Sequence, residues 1–250
     1  MNIINKIDTF LNESKIETFE EFTELVKRDC SEFLKEIKSS KAFLYRGIKG
    51  VSDDMGIKTP RADRKPKDTS AKGHKYLGDL FKKHHGWNPR KEGVFCFADE
   101  FSTHYYGKSY IIFPINGYKY LWSSNISDLY AETSSDYSFN YEQVYGNLNI
   151  LWDDGELEEF MDEMMGNYED EDEDEDEDDW PNRDELESDV LDAARIELNL
   201  LIKDYNKSNL SILLNGTQYN KHEVSLKCKK YYYIVYSGKI DDDLALSIFN

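Results

Sequence analysis

The segment Lys41–Ile48, KAFLYRGI, constrains the fold most strongly because it is a short apolar and aromatic run of strand length. Side chains alternate between the two faces of a strand, so Arg46 shares a face with Leu44 while Tyr45 lies on the other. A charge on an apolar face needs an anion or hydrogen-bond acceptors, because burying it unpaired is costly. Two interpretations stay open: Arg46 reaches water or a carboxylate from an edge strand, or its planar guanidinium binds a phosphate or carboxylate.

Other short apolar runs are typical of strands and alternate with segments of helical period. Strands are predicted at residues 93–98, 109–115, 118–122, 208–214, 222–228 and 231–236. The pair Asn116-Gly117 is a hairpin signal and predicts that strand 118–122 returns along strand 109–115. Apolar residues at every third or fourth position predict helices at residues 3–12, 18–37, 74–85, 156–165 and 183–205. Thr18 and Glu21 have capping-box spacing at the start of the second helix.

Most of the negative charge lies in one segment, because Glu169 to Asp179 are eleven consecutive acids. Of the net charge of −19, the rest of the chain carries −8. An acidic surface argues against direct DNA or RNA binding, which needs cationic groups. The run predicts a disordered insertion at residues 166–182. Its role stays open between a solubilising insertion, a surface for a basic partner and an imitation of nucleic acid.

A basic patch interrupts the acidic chain between Pro60 and Thr69. It lies in a long stretch, residues 51–73, for which the sequence predicts neither helix nor strand, and such loops are often functional or disordered. The cations of the basic patch either line the mouth of a pocket for an anionic ligand or are solvent-exposed and balanced by nearby acids. These cations are Arg61, Arg64, Lys65 and Lys67.

Cysteines, histidines and apolar segments bound the class of protein. Cys30, Cys96 and Cys228 are isolated and odd in number, which indicates a reducing cytoplasm without a disulfide framework. His84 and His85 are adjacent on a predicted helix, so they point about 100° apart and do not form one metal-ligand set. The chain begins without a signal-peptide pattern, and no apolar run approaches the ~20 residues that span a membrane. We therefore expect neither a metal site nor a membrane partner.

Three segments place polar residues among the predicted strands. The first strand contains Tyr45-Arg46-Gly47. The strand Val94–Ala98 is followed by Ser102-Thr103 and by Tyr106. Glu223 lies on a late strand. The chain therefore presents an arginine, hydroxyl residues and a glutamate in that order.

This layout resembles the arginine–serine–glutamate class of ADP-ribosyltransferases. It also resembles uncharacterised bacteriophage proteins with a Tyr-Arg-Gly strand, a loop rich in Arg and Pro, and a final Glu-Val strand before tyrosines. The resemblance covers about residues 42–130 and 210–236. It implies an α+β fold with a mixed, mainly antiparallel split sheet in one domain over residues 1–250. In that domain, residues 1–40 are a helical N-terminal part and residues 41–236 the α+β core.

The resemblance also implies roles for single residues. Glu223 is expected to be catalytic, because a carboxylate stabilises the positive charge that builds on the ribose as nicotinamide leaves NAD. Arg46 is the second expected catalytic residue and binds the pyrophosphate or the ribose. The residues expected to bind NAD are Tyr45, Arg46, Gly47, Ser102, Thr103 and Tyr106.

The implied function is that of a phage NAD-dependent mono-ADP-ribosyltransferase that modifies a protein target in the host cytoplasm. Two departures bear on it: the strand Val94–Ala98 has no hydroxyl residue, and Lys221 stands where arginine-modifying members have an acid, so an arginine target is not expected. The alternative is a non-enzymatic acidic phage protein that binds a host defence protein and inhibits or triggers it as a nucleic-acid mimic. Glu223→Gln separates the two, because it abolishes activity only under the first interpretation.

Overall fold

The computed structural model describes residues 16–61, 70–127, 129, 148–171, 182–205, 209–219 and 221–249. They group into two compact units, which we call the sheet unit and the helical unit. The sheet unit comprises the described residues of Met1–Arg64, Pro89–Ser127 and Tyr205–Asn250, and the helical unit those of Lys65–Asn88 and Asp128–Asp204. The predicted helix 3–12 and most of the basic patch lie outside the described residues. One domain over the whole chain stays a prediction.

The strands of the sheet unit are β1 (Leu44–Ile48), β2 (Met55–Lys58), β3 (Val94–Phe97), β4 (Lys108–Pro114), β5 (Lys119–Leu121), β6 (Glu223–Lys227) and β7 (Tyr231–Val235). They form one sheet in the order β2-β7-β4-β1-β3-β6-β5, and each neighbouring pair is antiparallel. The α+β class and the antiparallel character are confirmed. The prediction of a mixed sheet is wrong for the described strands, because a mixed sheet contains parallel pairs and all six neighbouring pairs here run in opposite directions.

The helices, in chain order, are α1 (Phe19–Asp29), α2 (Ser31–Ile37), α3 (Ala71–His85), α4 (Pro89–Glu92), α5 (Asp154–Glu171), α6 (Arg183–Asp204), α7 (Leu210–Asn215) and α8 (Gly238–Phe249). Helices α3, α5 and α6 belong to the helical unit and the others to the sheet unit. Short 3-10 helices lie at Phe101–Tyr106, Leu148–Leu151 and Thr217–Tyr219. Of the helices described, none is both long enough and apolar enough to cross a membrane.

Helix α1 begins at the predicted cap. The Thr18 hydroxyl oxygen accepts the Glu21 N–H at 3.1 Å. The predicted helix 18–37 is divided at Cys30, whose N–H donates to the Val26 carbonyl at 2.9 Å and ends α1. Cys30 is fully buried, and its thiol lies 3.6 Å from the Phe113 carbonyl oxygen. It serves as a core residue, as its position in the apolar pattern predicts.

Aromatic side chains join α1 and α2 to the sheet. Phe22 of α1 and Phe33 of α2 pack edge-on against Phe113 of β4, with ring centroids 6.0 and 6.2 Å apart. Phe22 also meets Tyr232 of β7 at 6.2 Å. Burial of each such side chain contributes about 1.5–3 kcal/mol, and edge-on ring pairs add to it. This core fixes the sheet that carries the candidate site.

The hairpin predicted at Asn116-Gly117 does not form. β4 pairs with β1 and β7, whereas β5 pairs with β6 at the edge of the sheet. The turn is bound to α2 instead: the Asn116 side-chain oxygen accepts the Glu32 N–H at 2.9 Å, and the Gly117 N–H donates to the Glu32 carboxylate at 2.8 Å. These bonds hold the turn on α2, so the chain leaves β4 rather than returning along it.

Three further elements of the sheet unit differ from the sequence prediction. Residues 210–215 form the helix α7 rather than a strand, because Leu210 and Leu213 are buried at helical spacing. β2 lies within the stretch for which no strand is predicted and pairs with β7. α8 follows β7 where the sequence predicts no element, and it buries Leu244 and Ile248, which are four residues apart as on one helix face.

The helical unit follows its predicted pattern closely. α3 begins at Ser70, whose hydroxyl oxygen accepts the Gly73 N–H at 3.0 Å, and ends at Gly86 with φ of 76°. α6 buries Val190, Ala194 and Leu198 in the predicted register. α5 continues through Glu171, so the first acids of the acidic run are helical, and the rest of the run lies outside the described residues.

The two adjacent histidines of α3 contact α6. The Nε2 atom of His84 lies 2.9 Å from the side-chain oxygen of Asn199. The Nε2 atom of His85 lies 2.7 Å from the carbonyl oxygen of Ile202. In the part of the chain that the structure describes, no group of three His, Cys, Asp or Glu side chains is placed to hold a metal ion.

Candidate functional site

The sheet opens between two central strands. β1 pairs with β4 along its whole length, and β3 pairs with β6 along its whole length. β1 and β3, both fully described, pair at one position, Tyr45 opposite Phe97. Beyond that position the ladder stops, and backbone groups of the two strands need other partners.

Arg46 fills this opening. Its Nη1 donates to the Phe95 carbonyl of β3 at 2.6 Å, so the guanidinium takes the place of a ladder partner. The Nε atom of Arg46 is buried and has no hydrogen-bond partner in the described structure. A buried donor without an acceptor is rare and costs about 1–3 kcal/mol. The guanidinium of Arg46 is therefore hydrogen-bonded at Nη1 and lacks an acceptor at Nε.

A small cleft of about 80 Å³ lies at the opening, and we call it the β1–β3 cleft. It joins residues from three neighbouring strands and from the 3-10 helix Phe101–Tyr106. Four of its residues are among the predicted site residues. The lining consists of Arg46, Gly47, Phe95, Phe97, Tyr106 and Glu223.

Gly47 allows the 3-10 helix to pack directly on β1. A Cβ at this position would lie 2.3 Å from the Thr103 carbonyl oxygen and 2.6 Å from the Tyr106 Cβ. Only glycine permits so close an approach. The packing places the Tyr106 ring over Phe97, with centroids 6.0 Å apart and planes 20° apart. The cleft therefore has a wall of two stacked rings.

Tyr45 is not among the residues that line the cleft, although it shares a face with Glu223. Tyr45 lies opposite Phe97, and Phe97 lies opposite Glu223, and opposed residues share a face. The Tyr45 side chain packs edge-on against Tyr236 at 5.4 Å. Side chains alternate between the two faces of a strand, so the Arg46 side chain leaves β1 on the face opposite to that of Tyr45 and Glu223. Its hydrogen bond to the Phe95 carbonyl of β3 crosses the opening.

The two predicted hydroxyl residues hold the 3-10 helix instead of lining the cleft. Thr103 is fully buried, and its hydroxyl lies 2.6 Å from the Glu100 carbonyl and 2.8 Å from the Ser109 hydroxyl. The Ser102 hydroxyl donates to the Asp99 carboxylate at 2.9 Å, and the same carboxylate accepts the Ser102 N–H at 3.0 Å. Local bonding of this kind is the usual role of Ser and Thr at the start of a helix.

Two ionisable groups near Arg46, one on the half-buried Cys228 and one on the buried Tyr231, stay neutral at pH 7. Burial raises the pKa of the Cys228 thiol to about 12, although the charge of Arg46 opposes the shift. Burial also raises the pKa of the Tyr231 phenol to about 12, and Arg46 again opposes it. Neither group therefore supplies a negative charge to the guanidinium at neutral pH.

The residues that the sequence prediction missed are Phe95 and Phe97. They lie two positions apart on β3, so both side chains point to the face that carries Glu223. The signal was the alternation of Phe with smaller residues in the run VFCF. That alternation predicts one aromatic face of β3, but the sequence does not show which residues of neighbouring strands lie on that face.

Known proteins give no independent indication of what the cleft binds. Neither family models, nor curated proteins, nor solved structures match this chain. The geometry and chemistry of the cleft itself indicate what it can bind.

Proposed function

We propose that this protein is an NAD-dependent mono-ADP-ribosyltransferase whose reaction takes place in the β1–β3 cleft. One observation carries the proposal: Arg46 and Glu223, far apart in the sequence, line the same cleft where the sheet opens. The cleft thus combines a cation for an anionic group and a carboxylate for a developing positive charge. An ADP-ribosyltransferase-like relationship of the sheet is part of the same proposal, because the arginine and glutamate strands flank one shared neighbour, β3.

Arg46 is the residue suited to an oxygen anion. One nitrogen is already held by the Phe95 carbonyl, which fixes the plane of the guanidinium. The unsatisfied Nε favours an acceptor on the ligand, because a charge-assisted bond there removes the cost of the buried donor. A phosphate or ribose oxygen of NAD is such an acceptor. Arg46 therefore both holds the opening of the sheet and binds substrate.

Glu223 is the residue suited to the reacting carbon. When nicotinamide leaves, positive charge builds on the ribose, and a carboxylate beside it stabilises that charge. Glu223 is half-buried at the first position of β6, opposite Phe97. The Phe97 and Tyr106 rings offer the planar apolar surface on which a nicotinamide ring stacks.

The size of the cleft limits how much of NAD it encloses. Sites that bury a whole ligand of this size measure about 300–1,000 Å³, whereas the cleft measures about 80 Å³. The residues fit the reacting part of the molecule, and the remainder has to lie outside the enclosed volume. Lys221, exposed two residues before Glu223, repels a cationic arginine side chain, so we expect a target residue other than arginine.

Release of nicotinamide from NAD, with and without a bacterial lysate, tests the proposal. Glu223→Gln keeps the shape of the side chain and removes its charge, so release should fall about 100-fold. Glu24→Gln, the same exchange at an exposed position of α1, is the matched control and should leave release unchanged. Label from the adenylate half of NAD should appear on a lysate protein.

Two outcomes contradict the proposal. One is equal release by the Glu223→Gln and Glu24→Gln proteins. The other is no release by the folded wild-type protein, even with lysate present.

The second candidate function is partner binding without catalysis. Phe101 and Tyr105, on the 3-10 helix beside the cleft, have side chains that are 66% and 87% exposed. Exposed aromatic residues are typical of protein interfaces. Under this alternative the double substitution of Phe101 and Tyr105 by Ala removes a protein partner from pull-downs, while Glu223→Gln leaves the partner bound.

A further inference from the structure

The helical unit contains a groove along one face of α3, which we call the α3 groove. One wall comes from helix residues at intervals of three and four, Lys72, Lys75, Tyr76, Asp79, Leu80 and Lys83. The facing wall comes from Leu151, the last residue of the 3-10 helix Leu148–Leu151, and from Trp152 and Asp154 just after it. The volume is about 510 Å³, within the range of about 300–1,000 Å³ for small-molecule sites.

The apolar part of the groove is held in place. The rings of Tyr76 and Trp152 lie 5.9 Å apart with planes at 44°. Trp152 is 6% exposed and packs on Gly73, where an added Cβ would lie 2.6 Å from the indole Nε1. Leu80 and Leu151 extend the apolar surface. The groove therefore offers two fixed rings and aliphatic side chains to a ligand.

The charges on the rim favour an anion. α3 carries four lysines and one acid in a chain of net charge −19. Lys72 is paired with Asp154 at 2.9 Å and Lys75 with Asp79 at 2.6 Å. For Lys83, no carboxylate of the described residues lies within ion-pair distance, and its side chain is exposed. Lys83 is thus the cation that remains available at the rim.

We propose that the α3 groove is a binding site for a small anionic ligand with an aromatic body. The aromatic body lies against Tyr76 and Trp152 and leaves water, which supplies the apolar part of the affinity. The carboxylate, sulfonate or phosphate group of the ligand takes a charge-assisted bond from Lys83. The site lies wholly within the helical unit and does not depend on the reaction proposed for the β1–β3 cleft.

A pair of probes with the same aromatic body tests the charge requirement. Anilinonaphthalene sulfonate carries an anionic group, and phenylnaphthylamine is its uncharged counterpart. Both fluoresce when they leave water, so each is titrated against the full-length protein. We expect the wild-type protein to bind one sulfonate probe per chain, about tenfold more tightly than the neutral probe.

Two variants of neighbouring lysines locate the site. Lys83→Glu reverses the charge of one lysine in the lining, and Lys82→Glu makes the same change one residue away, outside the lining. We expect Lys83→Glu to weaken binding of the sulfonate probe about tenfold and Lys82→Glu to weaken it less than about twofold. Neither change should affect the neutral probe. Equal effects of the two variants on the sulfonate probe overturn the proposal, as does the lack of saturable binding.

Tyr76→Ala tests the apolar half of the site independently. Both probes share the aromatic body, so this variant should weaken both by about tenfold. Thermal unfolding of each variant confirms that the helical unit is folded. Unchanged binding of both probes to folded Tyr76→Ala protein overturns the assignment of the aromatic wall.

Discussion

The β1–β3 cleft and the α3 groove are built in opposite ways. The cleft joins segments that are far apart in the sequence, encloses about 80 Å³ and holds an arginine fixed by a backbone carbonyl. The groove comes largely from one helix face, encloses about 510 Å³ and has exposed lysines at its rim. The larger volume and the arginine–glutamate pair therefore lie in different regions of this chain. The larger concavity combines two aromatic rings with ion-paired side chains, whereas the smaller one brings an arginine and a glutamate together.

The contacts that stabilise the two regions also differ, in how far they are exposed to solvent. In the sheet unit, the Tyr232 hydroxyl of β7 donates to the Asp29 carboxylate at the end of α1 at 2.7 Å. In the helical unit, the ion pair of Lys72 and Asp154 has side chains that are 67% and 89% exposed. Exposed pairs contribute little because water and salt screen them. We therefore expect the sheet unit to be the more sensitive of the two to single substitutions.

The largest difference is expected between two glycine substitutions. Gly47→Ala places a Cβ 2.3 Å from the backbone oxygen of Thr103, and we expect the free energy of unfolding to fall by about 3 kcal/mol. Gly73→Ala places a Cβ 2.6 Å from the Trp152 side chain, and a gain of about 1 kcal/mol in helix propensity offsets part of the strain. Denaturant unfolding of both variants measures the difference, and equal losses would remove the contrast between the regions.

A smaller difference is expected between two polar substitutions. Tyr232→Phe removes the bond to Asp29 and should lower the free energy of unfolding by about 1–2 kcal/mol. Lys72→Ala removes the exposed ion pair with Asp154 and should change it by about 0.5 kcal/mol or less. Thermal unfolding of the two variants in the same buffer measures the difference between their stability losses. A larger loss for Lys72→Ala would contradict it.

The smallest expected effect is a pH dependence carried by Asp29. The hydrogen bond from Arg28, together with that from Tyr232, holds the pKa of the Asp29 carboxyl below its ordinary 3.8, although partial burial opposes the shift. A lowered pKa in the folded state stabilises the fold at pH values above the ordinary pKa, and the contribution is lost as pH falls through the folded value. Asp29→Asn should therefore flatten the loss of stability below about pH 4. Identical acid unfolding curves would contradict this assignment.

Local patterns in the sequence predict much of the fold but not the pairing of its strands. The capping spacing of Thr18 and the apolar register of α6 are properties of nearby residues, and both are confirmed. The partner of β5 is not such a property, because it is decided by the bonds between Asn116-Gly117 and α2. The run 210–215 is too short for its period to separate helix from strand.

The candidate site was predictable only in part, because local patterns mark single residues but not the contacts between distant segments. Arg46 and Glu223 stand out as charges among apolar strand residues, and the structure brings both to one cleft. Ser102 and Thr103 were expected to bind NAD, but their hydroxyls bond within their own segment. Phe97 was not expected, because its stacking on Tyr106 depends on the packing of the 3-10 helix against Gly47.

The central claim is that Arg46 and Glu223 act together at one cleft, and a double-mutant cycle of nicotinamide release tests it most directly. Arg46→Lys keeps a donor for the Phe95 carbonyl and removes the buried Nε, and Glu223→Gln removes the carboxylate charge. If Arg46 positions NAD for the step that Glu223 stabilises, the two residues act as one unit, and the double variant should be about as slow as the slower single variant. Rate losses that multiply in the double variant, or a folded wild-type protein that releases no nicotinamide, would contradict the claim.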